Sequence, residues 1–406
     1  MHQNQDIVIV GLQPWDIEIG SNCKNIAVEM ARSNRVLYVN YPLDRMTMLR
    51  PKKSDKIHKR IRIFKSGIPE LTEIQPNLWN LNPATCIESI NRIGITWLFD
   101  LLNKINNKRF AKQIELAVKQ LGFENYILFN DSDMFRSFYL KELLKPSTYV
   151  YYTRDNLLAV DYWQKQGLRL EPLHMKKADL VVANSTYLAS LAQKYNPNSF
   201  YVGQGCDVSL FNKRLVSTIP LDIRDIPKPV IGYIGALLSL RLDLEVLVHI
   251  AENRPDWSLV LVGPEDETFR NSKLHHLKNV CFLGNKQENE LPSYLNCFDV
   301  AINPQVISPV TIGNYPRKID EYLSMGKPVV ATQTEAMSVF ASCTYLARNK
   351  EDYLCFIENA LRDDNEPLQS QREELAKQHT WENNVLAIFE AIEIFRKTQK
   401  SKNELT

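Results

Sequence analysis

Between Asn314 and Thr332 the chain reads N-Y-P-R-K-I-D-E-Y-L-S-M-G-K-P-V-V-A-T. Pro316 suits the first position of a helix and Gly326 suits its stop. Val329, Val330 and Ala331 then read as a short buried strand. Lys318 and Glu321 are three apart, so they share a helix face near the positive N-terminal end. Such an end attracts phosphate, and a carboxylate close by can accept hydrogen bonds from two neighbouring hydroxyls. A diphosphate joined to a ribose needs that combination. The competing reading of the same residues is a surface αβ unit with a solvated Lys–Glu pair.

The elements that must position these residues are those of a doubly wound α/β chain. Apolar strands are expected at Ile7 to Val10, Val36 to Val39, Tyr126 to Phe129, Thr148 to Tyr152, Leu180 to Ala183 and Phe200 to Val202. Ser21 can cap a helix through Met30, and Asn91 to Leu121 is helical with a break at Asn106-Asn107. Val216 to Pro229, poor in core residues and holding Pro220, Pro227 and Pro229, reads as a linker. The pattern then restarts with strands Val230 to Ile234, Leu259 to Val262, Val280 to Leu283 and Val300 to Asn303. Trp381 to Lys397 forms a last amphipathic helix. In such folds the loops at the carboxyl ends of parallel strands form ligand sites. The first-half loops of this kind carry Trp15 and Asp16, then Arg154 and Asp155, then Asn184 and Ser185.

Composition bounds the function. The chain has 406 residues, 44% of them hydrophobic, with 49 basic and 47 acidic side chains and a net charge of +2. That is enough apolar residue for two cores, and the balanced charge gives no reason to expect a nucleic-acid partner. The basic residues cluster in Arg50 to Lys65, where Ile57, Ile61, Ile63 and Phe64 are interspersed. This segment is either a solvated loop or a surface for an anionic bilayer. Seven scattered cysteines without a C-x-x-C pair indicate reduced thiols in a cytosol. Without a signal-peptide core or an apolar run of about 18 residues, the protein is expected to be cytoplasmic, peripherally attached at most to the inner face of the membrane.

The Asn314 to Thr332 passage resembles the donor-nucleotide segment of GT-B glycosyltransferases, in which a Glu in an E-Y-L-A-x-G-K-P-V-V-like run holds the ribose. Y-I-G-A-L at Tyr233 to Leu237, L-V-G-P at Leu261 to Pro264, F-D-V-A-I-N-P at Phe298 to Pro304 and the G-C-D-V-S-L-F turn ending at Phe211 extend the resemblance in the right order. The group is that of bacterial teichuronic-acid biosynthesis glycosyltransferases, relatives of the large retaining family with a Glu–x7–Glu motif. The resemblance implies a GT-B fold: two Rossmann-like doubly wound domains facing a cleft. Residues 1–220 would be the acceptor side, 221–378 the nucleotide-sugar side, and 379–406 a helix crossing back to the first domain.

For function, the resemblance implies transfer of a sugar from a nucleotide-sugar donor to a glycan, glycolipid or lipid-linked acceptor in cell-surface polysaccharide biosynthesis. Glu321, Arg317, Gly235, Gly263, Pro316 and Gly313 would lie at the donor, and Arg241 with Lys318 would neutralise the leaving diphosphate. Asp155 would serve as base or acceptor contact, with Trp15, Asp16 and Arg154 on the acceptor side. No metal and no other cofactor is expected, because cationic side chains stabilise the leaving group in this fold. Asp131-Ser132-Asp133 matches a metal-binding D-x-D in letters, with helix capping as the competing reading. Two departures stand out: Gly313 occupies the place of the motif's first Glu, and Arg241 is the only cation after the strand Val230 to Ile234. Arg241 could instead pair with Asp243 or Glu245, and Arg154 with Asp155. An epimerase of the same fold and a catalytically inactive nucleotide-sugar-binding subunit remain as alternative functions.

Overall fold

Runs such as Ile7-Val8-Ile9-Val10 have no polar face, so they are stable as strands only where helices cover both sides of the sheet. The computed structural model, which describes residues 4–17, 21–50, 54–159 and 161–404, realises this twice. One unit comprises Met1–Gly203 with Asn384–Thr406, the other Gln204–Asn383. The first contains strands β1 (Asp6–Gly11), β2 (Arg35–Val39), β3 (Leu43–Asp44), β4 (Glu70–Gln75), β5 (Leu78–Asn82), β6 (Cys86–Ile87), β7 (Ile127–Asp131), β8 (Thr148–Thr153), β9 (Leu180–Ala183) and β10 (Ser199–Tyr201). Its main sheet runs β10-β9-β8-β7-β1-β2-β5-β4, all parallel except for the edge hairpin β4–β5. The second contains β11 (Val230–Ile234), β12 (Ser258–Val262), β13 (Val280–Gly284), β14 (Val300–Asn303), β15 (Val329–Thr332) and β16 (Tyr345–Ala347), in the parallel order β13-β12-β11-β14-β15-β16.

Four expectations change. The stretch 204–220, placed with the first domain on sequence grounds, packs within the second unit: Phe211 and Ile223 share a core with Val230 and Ile234. The Pro-rich segment is therefore a wrapping strap, tied where Tyr294 Oη donates to Asp222 Oδ1 over 2.9 Å. The helix Thr96–Leu121 runs unbroken through Asn106-Asn107. Both amides are buried and serve neighbouring backbone: Asn106 bonds Glu88 at both its N–H and C=O, and Asn107 bonds the carbonyls of Asn103 and Phe135 and the Tyr139 N–H. In Arg50 to Lys65, expected as a solvated loop or a surface for an anionic bilayer, the loop gives way from Asp55 on to a helix, Asp55–Ser66, stopped by left-handed Gly67. Its Ile63 is buried and Ile57, Ile61 and Phe64 are half-buried, so the apolar side turns inward; residues 51–53 lie outside the described residues. The hairpin partner β4 had no clear sequence signal.

The helix Trp381–Glu404 buries Val385, Ile388, Phe389 and Ile392. Asn384 fastens its start to the first unit by donating to the Val202 and Gly203 carbonyls over 3.0 and 2.8 Å. All seven cysteines are free thiols, with Cys23, Cys86 and Cys206 buried.

Behind β8, the helix Asp161–Lys177 contributes a buried Glu171, which accepts from the Tyr151 hydroxyl over 3.1 Å, and a fully buried His174. Burial pushes the Glu171 carboxyl up to about 7, and burial pulls His174 down to about 3, so the imidazole stays neutral. The folded chain keeps a proton on Glu171 that the unfolded chain releases near the ordinary carboxylate range. Stability from this proton is full below about pH 4.5 and lost as pH rises through about 7, a difference of about 3 kcal/mol. Glu171→Gln removes that dependence. Its melting temperature relative to wild type should rise between pH 5 and pH 8 by several degrees, at about 2–4 °C per kcal/mol. A pH-independent difference would show that Glu171 is already ionised in the folded chain.

Candidate functional site

The second unit holds a pocket of about 300 Å³ at the carboxyl ends of β11 and β14. Tyr233, Gly235, Arg241, Leu291, Asn303, Gln305, Thr311, Asn314, Pro316, Arg317, Lys318 and Glu321 are on its wall. A larger concavity, about 810 Å³, lies in the first unit between Thr148, Asn198 and Arg396. It opens at the amino ends of β8 to β10, the wrong end of a doubly wound sheet for a ligand site.

The floor is built by close backbone approach. After β11 and β12 the chain passes through Gly235 (φ +142°) and Gly263 (φ +148°). The Gly235 N–H bonds the Val262 carbonyl over 2.8 Å. A Cβ on Gly263 would stand 2.0 Å from the Gly235 carbonyl oxygen, so only glycine fits there. Gly263 thus supports the floor rather than facing the pocket. The following turn is pinned: Asp266 accepts from both the N–H and the hydroxyl of Ser239, over 2.7 and 2.8 Å, and the Val306 N–H bonds the Arg241 carbonyl over 2.9 Å. Arg241 is exposed and its guanidinium has no partner among the described residues. Asp243, its suggested alternative partner, instead caps the helix Leu244–Asn253.

The opposite wall is the short helix Lys318–Ser324. Its C-terminus stops where expected, at Gly326 with φ +71°, while its first residue falls two positions after Pro316, with Arg317 as N-cap. At seven residues its aligned peptide dipoles are few, and the side-chain cations Arg317, Lys318 and Arg241 add their charge to the pocket. Lys318 Nζ lies 4.1 Å from the centre of the Tyr233 ring and donates to its hydroxyl. Glu321 is 8% exposed and its Oε1 accepts from Arg317 Nε over 2.9 Å. Burial raises the Glu321 carboxyl above its usual range, against the pull of Arg317 and Lys318. Burial works against the Arg317 charge, but Glu321 together with Cys206 and Glu288 outweighs it and holds the guanidinium above its ordinary range.

The structure brings Gly235, Arg241, Pro316, Arg317, Lys318 and Glu321, the residues the resemblance implied, to the wall of one pocket. Gly313 is buried in the loop after β14 and is not on the pocket wall, which its neighbours Thr311 and Asn314 form instead. Tyr233, Asn303 and Asn314 were missed. Asn303 had one signal, an amide ending the otherwise apolar strand V-A-I-N. Missed too was His379, whose Nδ1 lies 2.7 Å from Asp320 Oδ1. Asp320 is fully buried, accepts from the Tyr315 hydroxyl over 2.9 Å, and is pushed up to about 6 by burial.

In the first unit Arg154 bridges two carboxylates, Asp131 at 2.8 Å and Asp155 at 2.9 Å. The suggested salt bridge of Arg154 with Asp155 is thus formed. The Asp131-Ser132-Asp133 turn is structural. Asp133 accepts from the Phe135 and Arg136 N–H groups and pairs with Arg136 at 2.7 Å, and Ser132 donates to the Tyr152 carbonyl over 2.8 Å. Trp15 packs edge-on to Tyr38 with centroids 5.2 Å apart and carries Lys24 over its ring. Asp16 pairs with Arg60 at 2.7 Å. Trp15 and Asp16 therefore sit in a braced loop. Among the described residues no group of three His, Cys, Asp or Glu side chains is placed to hold a metal ion.

Residues 228–362, which contain the whole pocket, match the family of glycosyl transferases group 1. TuaH of Bacillus subtilis (strain 168), named as a teichuronic acid biosynthesis glycosyltransferase, is 30% identical over 195 residues. That match covers 46% of this chain and 48% of TuaH, so it spans about half the length of each. Among solved structures, Anabaena HepE in complex with UDP superposes with a TM-score of 0.65 at 16% identity, over 96% of this chain and 99% of HepE. Sucrose-phosphate synthase from Thermosynechococcus elongatus superposes with a TM-score of 0.63 at 16% identity, over 98% of this chain and 100% of its own. Two doubly wound units with a C-terminal helix returned to the first give the chain the GT-B fold, and residues 228–362, around the pocket, are similar to the glycosyl transferases group 1 family.

Proposed function

We propose that the chain transfers a sugar from a nucleotide-sugar donor to a glycan, glycolipid or lipid-linked acceptor in the synthesis of bacterial cell-surface polysaccharide. The observation that carries this reading is the pocket of the second unit. There a buried carboxylate, Glu321, lies beside three cations, Arg241, Arg317 and Lys318, within the stretch that matches the glycosyltransferase family. Glu321 accepts from ribose hydroxyls, and Lys318 and Arg241 face the diphosphate. Negative charge grows on the leaving diphosphate as the glycosidic bond breaks, so fixed cations lower the barrier without a metal ion. Asp155, with its side chain 36% exposed, is the proposed acceptor contact or base, and Trp15, Asp16 and Arg154 shape that side. The name of TuaH supports the polysaccharide context.

The lipid-linked form of the acceptor implies work at a membrane surface. No described helix is long and apolar enough to cross a membrane. On the helix Asp55–Ser66, His58, Lys59, Arg62 and Lys65 are exposed, and Ile68 just beyond it is 72% exposed. These would meet an anionic bilayer by charge rather than by insertion.

Calorimetric titration with UDP should give binding to wild type, and Glu321→Ala should weaken it by about 1–3 kcal/mol, because ribose hydroxyls lose their acceptor. Unchanged affinity in a folded variant would remove Glu321 from the ribose. Turnover of a panel of nucleotide-sugars should persist in excess EDTA and fall by roughly 10²-fold in Arg241→Ala. Loss in EDTA with rescue by manganese would replace the metal-free mechanism. An epimerised sugar, or binding without turnover, would favour the epimerase or the inactive subunit. Co-sedimentation with vesicles containing anionic phosphatidylglycerol should decline as salt rises. Equal recovery in the supernatant with neutral and anionic vesicles would remove the membrane contact.

A further inference from the structure

The pocket is chemically two-sided. Its charged groups, Arg317, Lys318 and Glu321, stand on the segment opening the helix Lys318–Ser324, and Arg241 on the loop after β11. The part at the end of β14 is neutral: Asn303, Gln305, Thr311 and Asn314. Two of these four are already used by the fold. Gln305 Nε2 donates to the Thr311 carbonyl over 2.8 Å, and the Thr311 hydroxyl donates to the Val306 carbonyl. They lock the loop between β14 and the helix.

The other two have polar atoms left over. Asn303 is the last residue of β14. Strand alternation puts Asn303 on the same face as Ala301, which packs with Ile319 and Tyr322 beneath the helix, while Val300 and Ile302 face the opposite core. Asn303 is 4% exposed, and its Nδ2 has no hydrogen-bond partner among the described residues. Asn314 Oδ1 is likewise buried without a partner. Both residues line the pocket. Most buried amide atoms in native proteins are satisfied, and of the unpartnered buried atoms among the described residues only these two belong to residues on the pocket wall. One is a donor and the other an acceptor. A phosphate or carboxylate only accepts and would leave Asn314 Oδ1 unpaired. A hydroxyl both donates and accepts.

We propose that Asn303 and Asn314 bind the hydroxyl groups of the sugar carried by the donor, and so contribute to the choice of that sugar. This rests on the nucleotide-sugar reading of the same pocket. It assigns the charged side to the nucleoside diphosphate, where cations neutralise phosphate. The neutral carboxamide side then takes the transferred ring.

The test compares UDP with UDP-glucose, UDP-galactose and UDP-N-acetylglucosamine by calorimetric titration of wild type, Asn303→Ala and Asn314→Ala, each checked for an unchanged melting temperature. The expected result is UDP affinity within about twofold of wild type in both variants, with affinity for at least one UDP-sugar reduced roughly tenfold, the worth of about 1.4 kcal/mol. Equal loss for UDP and the UDP-sugars would place the carboxamides on the nucleotide and overturn the proposal. Affinity for all three UDP-sugars unchanged in both variants would overturn it as well. Because wild-type binding of UDP is measured first, a failure of the nucleotide reading shows itself separately, as absence of UDP binding before any variant is compared. If one variant melts early, the other decides the matter alone.

Discussion

The site depends on the absence of two side chains. At Gly263 a Cβ would collide with the Gly235 carbonyl oxygen, and at Gly235 it would stand 2.8 Å from Lys318 Nζ and 2.9 Å from the Tyr233 hydroxyl. The backbone there adopts φ values that side-chain-bearing residues avoid. The turns after β11 and β12 can therefore close on one another, with Gly235 bonded to Val262 and Gly263 bonded to Gly284. The space left above Gly235 is what the Lys318 ammonium occupies. A methyl group at that position would push the ammonium off the floor, so exposed backbone and positive charge are one feature of the structure.

The helix Lys318–Ser324 divides its few residues among three tasks, following the 3.6-residue period. Ile319, Tyr322 and Leu323 enter the core. The Tyr322 hydroxyl accepts from the Ile234 N–H over 2.9 Å and so ties the helix to the end of β11, one residue before Gly235. Asp320 turns to His379 and Tyr315, anchoring the helix to the segment just before Trp381. Lys318 and Glu321 are left for the pocket. Placing a carboxylate there is unfavourable unless it is paired, and Arg317, one turn earlier, is the partner. A ligand that offers hydroxyls to Glu321 must either share that carboxylate with Arg317 or take one of its free lone pairs. Both routes keep the charge compensated, which removal of either residue alone would not.

Much of this was legible in the sequence, and the reasons separate cleanly. Parallel strands buried on both faces are continuous apolar runs, so β1, β2, β7, β8, β9, β11, β12, β14 and β15 announce themselves. The edge strand β4, E-L-T-E-I-Q, is half-exposed with charges at intervals, and nothing in its composition separates it from loop. Asn106-Asn107 looked like a helix break because Asn favours non-helical backbone. Here tertiary hydrogen bonds from buried amides outweigh that preference. The domain boundary moved because proline content marks stiffness as readily as linkage. At the pocket, Lys318 and Glu321 are legible because their spacing puts them on one helix face, whereas Arg241 and Arg317 were named only through the family resemblance. Asn303 and Asn314 were not found, since a lone Asn, even one ending an apolar strand, is a weak signal until burial shows that one atom of its amide has no partner among the described residues.

The first unit shows how a charged network can limit the choice of a reacting group. Arg154 is held from both sides, by Asp131 and by Asp155. The two carboxylates differ in access: the Asp131 side chain has no exposed surface, whereas that of Asp155 is 36% exposed. An acceptor hydroxyl can reach the second and not the first. Asp131 is fixed more deeply still, because Gly11 across the β1–β7 pairing has no Cβ; one would stand 2.9 Å from that of Asp131. Asp131 is thus the anchor that orients Arg154, and Arg154 in turn orients Asp155. The Arg154–Asp155 pair is thus the solvent-reachable end of a network anchored on the buried Asp131.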